Sequence, residues 1–455
     1  MKRNVLILFY ACFLTVLSNL AFGQTALTRA QFPAPIQKTI VKDYVFPGTI
    51  SYVETATSHY FAFADASMTV VCSEIDPQIY VRDFTIYDDT VYFCGINKSN
   101  GCLGVWGYFS TADLISSNIS YNIYDYFTCN KEKVDTLHNI AVFTENGNKH
   151  IVVVGTVKDG ANNRSGCTID ITHAATPSNW NYTIGVTAYN SGEDIKRICI
   201  TDDYVITVST SSVYPDMETY RIHYKSSNLF PAAGPQNNVW MLSYPTWGPY
   251  SRNTDKFAIT HMYKNTVAMA FQSKDENTNY NGIILYEYDM STLTVGSTFM
   301  AYALVANTGM DSLDVEDLKY YAKTDDFVLL MNGRLSGFPY NGMGSIIATI
   351  HHGSNAIPMH YSDAITFQSL DQYNYQNNYL SIGVDNNDPT HAVFYTQPIN
   401  TATACMDADT IIGITPCLMV KQEQWPFKVC SDTFVCSIKQ PTNTLSIANP
   451  KVCEE

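Results

Sequence analysis

One pattern recurs along the whole chain and limits what it can fold into: a short alternating strand, a two-residue polar turn, and a second strand. Phe84-Thr-Ile-Tyr-Asp88-Asp89-Thr-Val-Tyr-Phe93 is the sharpest copy. Asp and Asn tolerate the left-handed backbone that a tight hairpin needs, so this pair between β-branched and aromatic runs reads as a hairpin. The pattern returns at Asp202-Asp203, Lys264-Asn265, Asp325-Asp326 and Gln376-Asn377, with a looser copy around Asn146. Phe427-Lys-Val-Cys-Ser431-Asp432-Thr-Phe-Val-Cys436 matches the first copy in polarity, position by position, and makes seven.

The turns stand 51 to 62 residues apart, room for about four strands each. After Asp202 the expected strands are 198–200, 204–210, 219–224 and 239–243. A four-stranded unit repeated at this period is the signature of a propeller blade. A sandwich array would space its strands less regularly, and a β-helix would repeat sooner. Each blade is covered on both faces by its neighbours, which accounts for the unbroken apolar runs at 152–155, 267–271 and 327–331. The expected fold is therefore all-β: a seven-bladed β-propeller of four-stranded antiparallel blades, with six or eight blades as alternatives.

The chain ends bear on closure. The last turn supplies only inner strands, while 59–64 and 68–74 look like two strands with no inner pair of their own. The expectation is that these N-terminal strands complete the last blade and remove two open sheet edges. Cys72 would then lie near Cys430, Cys436 or Cys453, and a disulfide across the seam becomes possible, Cys453 being favoured because a chain end adapts most easily. The alternative is a buried free thiol.

Residues 1–23 read as a signal peptide: Lys2 and Arg3, an apolar run from Val5 to Leu17, and Ala21-Phe22-Gly23 before Gln24. Anchoring through Cys12 as a lipoprotein is the alternative. No other stretch is long and apolar enough for a transmembrane helix. Residues 24–43 are expected as an N-terminal arm and 44–455 as one propeller domain. The mature chain would be exported, to the periplasm or beyond the cell.

Composition narrows the function. Hydrophobic residues make up 46% of the chain and aromatics 13%, enough for a large core, while charged residues are only 15%. The net charge of −15 excludes a phosphate-backbone reader, so no nucleic-acid partner is expected. Cys405, Cys417, Cys430, Cys436 and Cys453 crowd the C-terminal end without a C-x-x-C knuckle, and no His follows His391. Disulfides suit this cluster better than a metal. No metal and no cofactor are expected.

Asp83-Phe-Thr-Ile-Tyr-Asp-Asp-Thr-Val-Tyr-Phe-Cys-Gly95, followed by Gly101-Cys-Leu-Gly-Val-Trp-Gly-Tyr-Phe109, resembles a blade of the uncharacterised secreted β-propeller proteins of Bacteroidota. The resemblance implies fold and export and carries no catalytic residues.

There is no H-E-x-x-H, G-x-S-x-G, P-loop or EF-hand loop. Asp83, Asp135, Asp194, Asp255, Asp317 and Asp371 recur about once per blade, but at unequal distances from their turns. They read as caps on the connections into the inner strands. The acidic run from Met310 to Asp317 reads as a solvated connection.

The loops between second and third strands (b–c) are long and varied, unlike the short a–b turns. On a constant scaffold such variation marks a binding face, shared with the d–a loops. Candidate ligand-binding residues there are Arg164, Tyr214, Asp216, Asp275, Tyr280, Arg334, Tyr340, Asp385 and His391. Aromatic faces beside Asp, Asn and Arg suit sugars. The reading is an exported, non-enzymatic binding or scaffold propeller for a glycan or a surface protein. The alternative is a glycan-active enzyme, a hydrolase or lyase, with paired carboxylates such as Asp275 or Glu276 with Asp385.

Overall fold

The computed structural model describes, within residues 26–424, twenty-eight strands, one short helix and the tight turns between them. Residues 1–25, 425–455 and most of the longer connections lie outside the described residues, and with them the signal peptide and the turn at Ser431-Asp432. The strands form seven four-stranded antiparallel sheets.

β1 (Ala26–Gln31) joins the last sheet and is taken up below. The first sheet holds β2 (Ile36–Asp43), β3 (Thr49–Thr55), β4 (His59–Ala64) and β5 (Val70–Ile75). The second holds β6 (Ile79–Tyr87), β7 (Thr90–Asn97), β8 (Leu103–Ser110) and β9 (Asn122–Asp125). The third is β10 (Lys133–Glu145), β11 (Asn148–Lys158), β12 (Arg164–His173) and β13 (Trp180–Val186). The fourth is β14 (Glu193–Ile200), β15 (Tyr204–Ser211), β16 (Glu218–Tyr224) and β17 (Val239–Leu242), close to the strands expected after Asp202.

The fifth sheet follows as β18 (Tyr250–Tyr263), β19 (Thr266–Asp275), β20 (Asn281–Asp289) and β21 (Thr294–Met300). The sixth is β22 (Met310–Tyr321), β23 (Asp326–Leu335), β24 (Gly342–His351) and β25 (Ile365–Gln368). The seventh has β26 (Ser381–Val384), β27 (Ala392–Ile399) and β28 (Cys417–Gln424), with β1 as its fourth strand.

The first strand of each sheet packs against the first strands of the sheets before and after it. β6 meets β2 and β10, the series runs on through β14, β18 and β22 to β26, and β26 returns to β2. These first strands therefore form a closed inner ring, which makes the fold a β-propeller.

Closure differs from expectation. A single strand completes the last sheet: β1 runs antiparallel to β28, with Ala26 opposite Gln422 and Gln31 opposite Cys417. The strands at 59–64 and 68–74 are β4 and β5, the outer half of the first sheet, whose inner pair is β2 and β3. The segment 24–43, expected as an arm, supplies β1 and β2. The cause lies in the connection Tyr44-Val-Phe-Pro-Gly48, which lacks the paired Asp or Asn of the other turns and hid that hairpin. The repeat frame shifts accordingly, and the seventh sheet turns from β26 to β27 at 385–391 rather than at Gln376-Asn377 or Ser431-Asp432. Cys72, in β5, is a free thiol. Cys430, Cys436 and Cys453 lie outside the described residues.

The middle strands are dry on both sides. Ile151, Val152, Val153 and Val154 of β11 are all fully buried. Ile151 and Val153 pack toward the second sheet, with Tyr92, Cys94 and Trp106, whereas Val152 and Val154 pack toward the fourth, with Ile195 and Val205. A strand covered on both faces needs no polar alternation. Between the first and second sheets Phe61 stands edge-on to Phe84 (5.4 Å between centroids) and Phe109 (4.8 Å). Such pairs add about 0.5–1.5 kcal/mol each beyond the area they bury.

The a–b turns behave as their residues dictate. Asp88 and Asp89 have φ of 46° and 55°, Asn146 and Gly147 have 51° and 78°, and Lys264 and Asp325 are also left-handed. Asp202-Asp203 is held differently. The Asp202 N–H donates to the Lys264 carbonyl (3.0 Å), and the Asn265 amide donates to the Asp203 carboxylate (2.8 Å), so this turn is bound to the next blade's turn.

Candidate functional site: the inner ring and the b–c rim

A four-residue unit recurs on the inner strands: Val81-Arg82-Asp83-Phe84, Leu137-His138-Asn139-Ile140, Ile195-Lys196-Arg197-Ile198 and Val315-Glu316-Asp317-Leu318. In each, the outer two residues are buried or nearly so. The second residue is the extra residue of a β-bulge, where the register with the neighbouring strand shifts by one: Arg82, His138, Lys196 and Glu316. A bulge bends the strand and re-aims the side chains around it. It also brings two backbones together. A Cβ on Gly95 would lie 2.0 Å from the Tyr80 carbonyl oxygen, and one on Gly155 would lie 1.9 Å from that of Thr136. Only glycine fits opposite these two bulges.

The third residue of the unit ties one blade to the next. Asp83 accepts from the Ile140 N–H (3.4 Å) and from the Asn139 amide, and pairs with Lys42 of β2 (3.1 Å). Asn139 in turn accepts from the Ile198 N–H (2.7 Å). Arg197, the same position in the fourth sheet, sits over the Phe257 ring of the fifth (6.0 Å). A polar chain from Lys42 through Asp83 and Asn139 to Ile198 thus crosses four consecutive inner strands. It gives the Ile140 and Ile198 N–H groups side-chain acceptors on the preceding blade.

The expectation that the recurring aspartates cap connections is corrected here. Asp83, Asp135, Asp194 and Asp317 lie within inner strands, as does the backbone of Asp255. The run Met310 to Asp317 belongs to β22, with Val315 buried. Two bulges in β22 break its alternation, which is why it reads as a loop. Three of the aspartates face a lysine, Lys42 at 3.1 Å from Asp83, Lys158 at 2.7 Å from Asp135 and Lys319 at 3.5 Å from Asp317, and Asp194 faces the His138 ring at 2.9 Å. Burial pushes the Asp194 carboxyl up, but hydrogen bonds from His138 and Thr156 and the charges of His138 and Lys196 outweigh it, and it is held below its ordinary value.

At the end of the sheets where b–c connections emerge, Asp135 bridges Lys158 and the 60%-exposed Arg164, which lies 3.9 Å away. Of the expected ligand-binding residues, Arg164 opens β12, Asp275 ends β19 and Arg334 lies next to the end of β23, all at this end of their sheets. Tyr214, Asp216, Tyr280 and Tyr340 belong to b–c connections outside the described residues. Asp385 and His391 also lie outside them, in the connection between β26 and β27, which is an a–b connection. Arg82, His138, Asn139 and Lys196 escaped sequence reasoning, although the apolar–polar–polar–apolar unit recurs in four of the repeats ahead of the turn.

Among the described residues no group of three or more His, Cys, Asp or Glu is placed to hold a metal, and no helix is long and apolar enough to cross a membrane.

No family model matches the chain, and no curated protein matches it. Solved structures similar to it include the polysaccharide lyase Uly1, at 9% identity and a TM-score of 0.47, covering 87% of this chain and 91% of that one. The Dos1 propeller is similar at 8% identity and 0.47, covering 88% and 95%. The WD40 domain of SCAP from fission yeast is similar at 8% and 0.43, covering 88% and 98%.

Proposed function

We propose that this chain is an exported, non-enzymatic binding or scaffold propeller. Its ligand is a glycan or a surface protein, met on the face where the b–c and d–a loops emerge. The observation that carries this reading is the pairing of the inner-ring carboxylates. Asp83, Asp135 and Asp317 each lie against a lysine, and Asp194 lies against the His138 ring. An acid and base pair for glycoside cleavage needs two carboxyl groups ~5–9.5 Å apart across the bond.

Export rests on the basic and apolar N-terminal segment and on the resemblance to secreted propellers; the thiol-rich C-terminal end agrees with an oxidising compartment. Incubating the purified protein with a panel of plant and host glycans tests the function. Retention on a glycan without release of product supports it. Product release would establish the enzyme instead.

A further inference from the structure

Three connections of the first two sheets meet at the end where b–c and d–a loops emerge. They are 56–58 between β3 and β4, 76–78 between β5 and β6, and the turn that begins at Lys98 after β7. Pro77 and Gln78 are exposed, yet Ile79, which follows them, is buried. The connection is held at several points. Asp76 accepts from the Gln78 N–H through its carboxylate (2.8 Å) and from the Ile79 N–H through its carbonyl (3.0 Å). The Lys98 N–H donates to the Gln78 carbonyl (2.9 Å). His59, the first residue of β4, supplies the tie to the first sheet: its Nδ1 lies 2.6 Å from the Ile79 carbonyl oxygen.

A carbonyl only accepts, so Nδ1 carries the proton, and the ring needs no charge to make this bond. His59 is 2% exposed, with the Tyr80 ring edge-on at 4.6 Å and the Tyr52 ring at 6.0 Å. Burial holds the imidazole below its ordinary value, outweighing the Ile79 bond and the nearby carboxylates. Of the charged groups around it, Glu54, opposite on β3, and Asp76 favour an imidazolium. Lys98 opposes one, its Nζ standing 3.4 Å from the centre of the Tyr80 ring. A proton added at Nε2 leaves the Nδ1 bond unchanged in form. What fails is the burial of charge, relieved only when the ring swings to water and lets go of the Ile79 carbonyl.

We infer that His59 is a pH-operated latch: its neutral ring pins the connection 76–78 to the first sheet, and protonation releases that connection on the b–c and d–a face. The latch acts there whatever the face binds. The closed form is fully favoured above the freed ring's value of about 6.5. It loses ground as the pH falls from there toward the lower folded value, because the freed ring takes up the proton first.

Hydrogen exchange of the full chain, read by mass spectrometry and corrected for the intrinsic effect of pH, tests this at about pH 7.5 and about pH 5. Peptides spanning 76–80 are the readout, and the buried segment 91–94 of β7 in the same blade is the reference. Relative to that reference, protection of 76–80 is expected to drop at least ~3-fold at the lower pH. His59→Gln keeps a donor for the Ile79 carbonyl but does not titrate, so its protection should be the same at both. A wild-type drop no larger than that of the reference overturns the latch. So does a folded His59→Gln that keeps the full drop, which passes the effect to another group. Should His59→Gln fail to fold, the wild-type pH profile decides: a drop that sets in just below about pH 6.5 upholds the latch, and one that waits until about pH 4 belongs to a carboxylate and overturns it.

Discussion

Gly155 lies directly beneath the backbone of Thr136, where an added Cβ would approach its carbonyl oxygen to 1.9 Å. The contact exists because the bulge in β10 pushes that strand toward β11. Gly155→Ala cannot be relieved by a side-chain rotation and should cost about 1–3 kcal/mol or more. Gly147→Ala has open space around it and pays only for its left-handed backbone (φ 78°), about 1–2 kcal/mol. Urea unfolding of both variants checks the order; Gly147→Ala proving the more harmful would contradict the bulge geometry.

Asn139 both donates to Asp83 and accepts from the Ile198 N–H. Asn139→Ala strands a buried N–H and should destabilise by about 1–3 kcal/mol. Asn139→Asp sets two carboxylates face to face and should be worse at neutral pH. It should recover in part as the pH falls and one of them is protonated. Melting curves at two pH values measure this, and equal damage at both would dismiss the contact.

The Asp194 carboxyl, held low in the folded protein, gives stability a pH dependence of known sign. Its contribution is complete above the unfolded value of about 3.9. It is lost as pH falls through the lower folded value, because protonation then favours the unfolded chain. Asp194→Asn should lower stability at pH 7 and flatten the fall below about pH 4. Denaturation midpoints across that range decide it.

Thiol reactivity should follow burial. Cys94, Cys167 and Cys199 are buried, and burial raises the Cys199 thiol to about 12. Cys72 is partly exposed, with its thiol raised to about 11. Of these four, Cys72 alone should alkylate in the native state, faster as pH rises, since the thiolate is the reactive form. Native labelling of Cys167 ahead of Cys72 would contradict this packing.

Turns defined the repeat in the sequence because Asp88-Asp89 and Asn146-Gly147 must supply a left-handed backbone, and few residue types do. The first hairpin escaped notice because Tyr44 to Gly48 carries no such pair, and the error passed directly into the closure. The inner-ring contacts were hidden for another reason. Asp83 and Asp317 each stand four residues before the last paired residue of their strand, Tyr87 and Tyr321, but two residues separate Tyr87 from Thr90 and four separate Tyr321 from Asp326, so the two aspartates hold one position while standing at different distances from their turn pairs. Asn139 and Arg197 fill that position with other chemistry, which a search for recurring Asp cannot see. A partner on the neighbouring blade, some 56 residues away as for Asp83 and Asn139, leaves no local trace in the chain.

The pairing of β1 with β28 carries a consequence for the order of assembly. The first strand of the fold to be made must wait for the last one described, with nearly the whole chain synthesised between Ala26 and its partner Gln422. Until then β28 keeps a bare hydrogen-bonding edge, and the incomplete ring can accept the β1 strand of another molecule in place of its own. A chain emerging from a membrane pore with its N-terminal end foremost would be most exposed to such exchange when crowded with copies of itself. Dilution during refolding, more than temperature, should then govern how much closes as monomer.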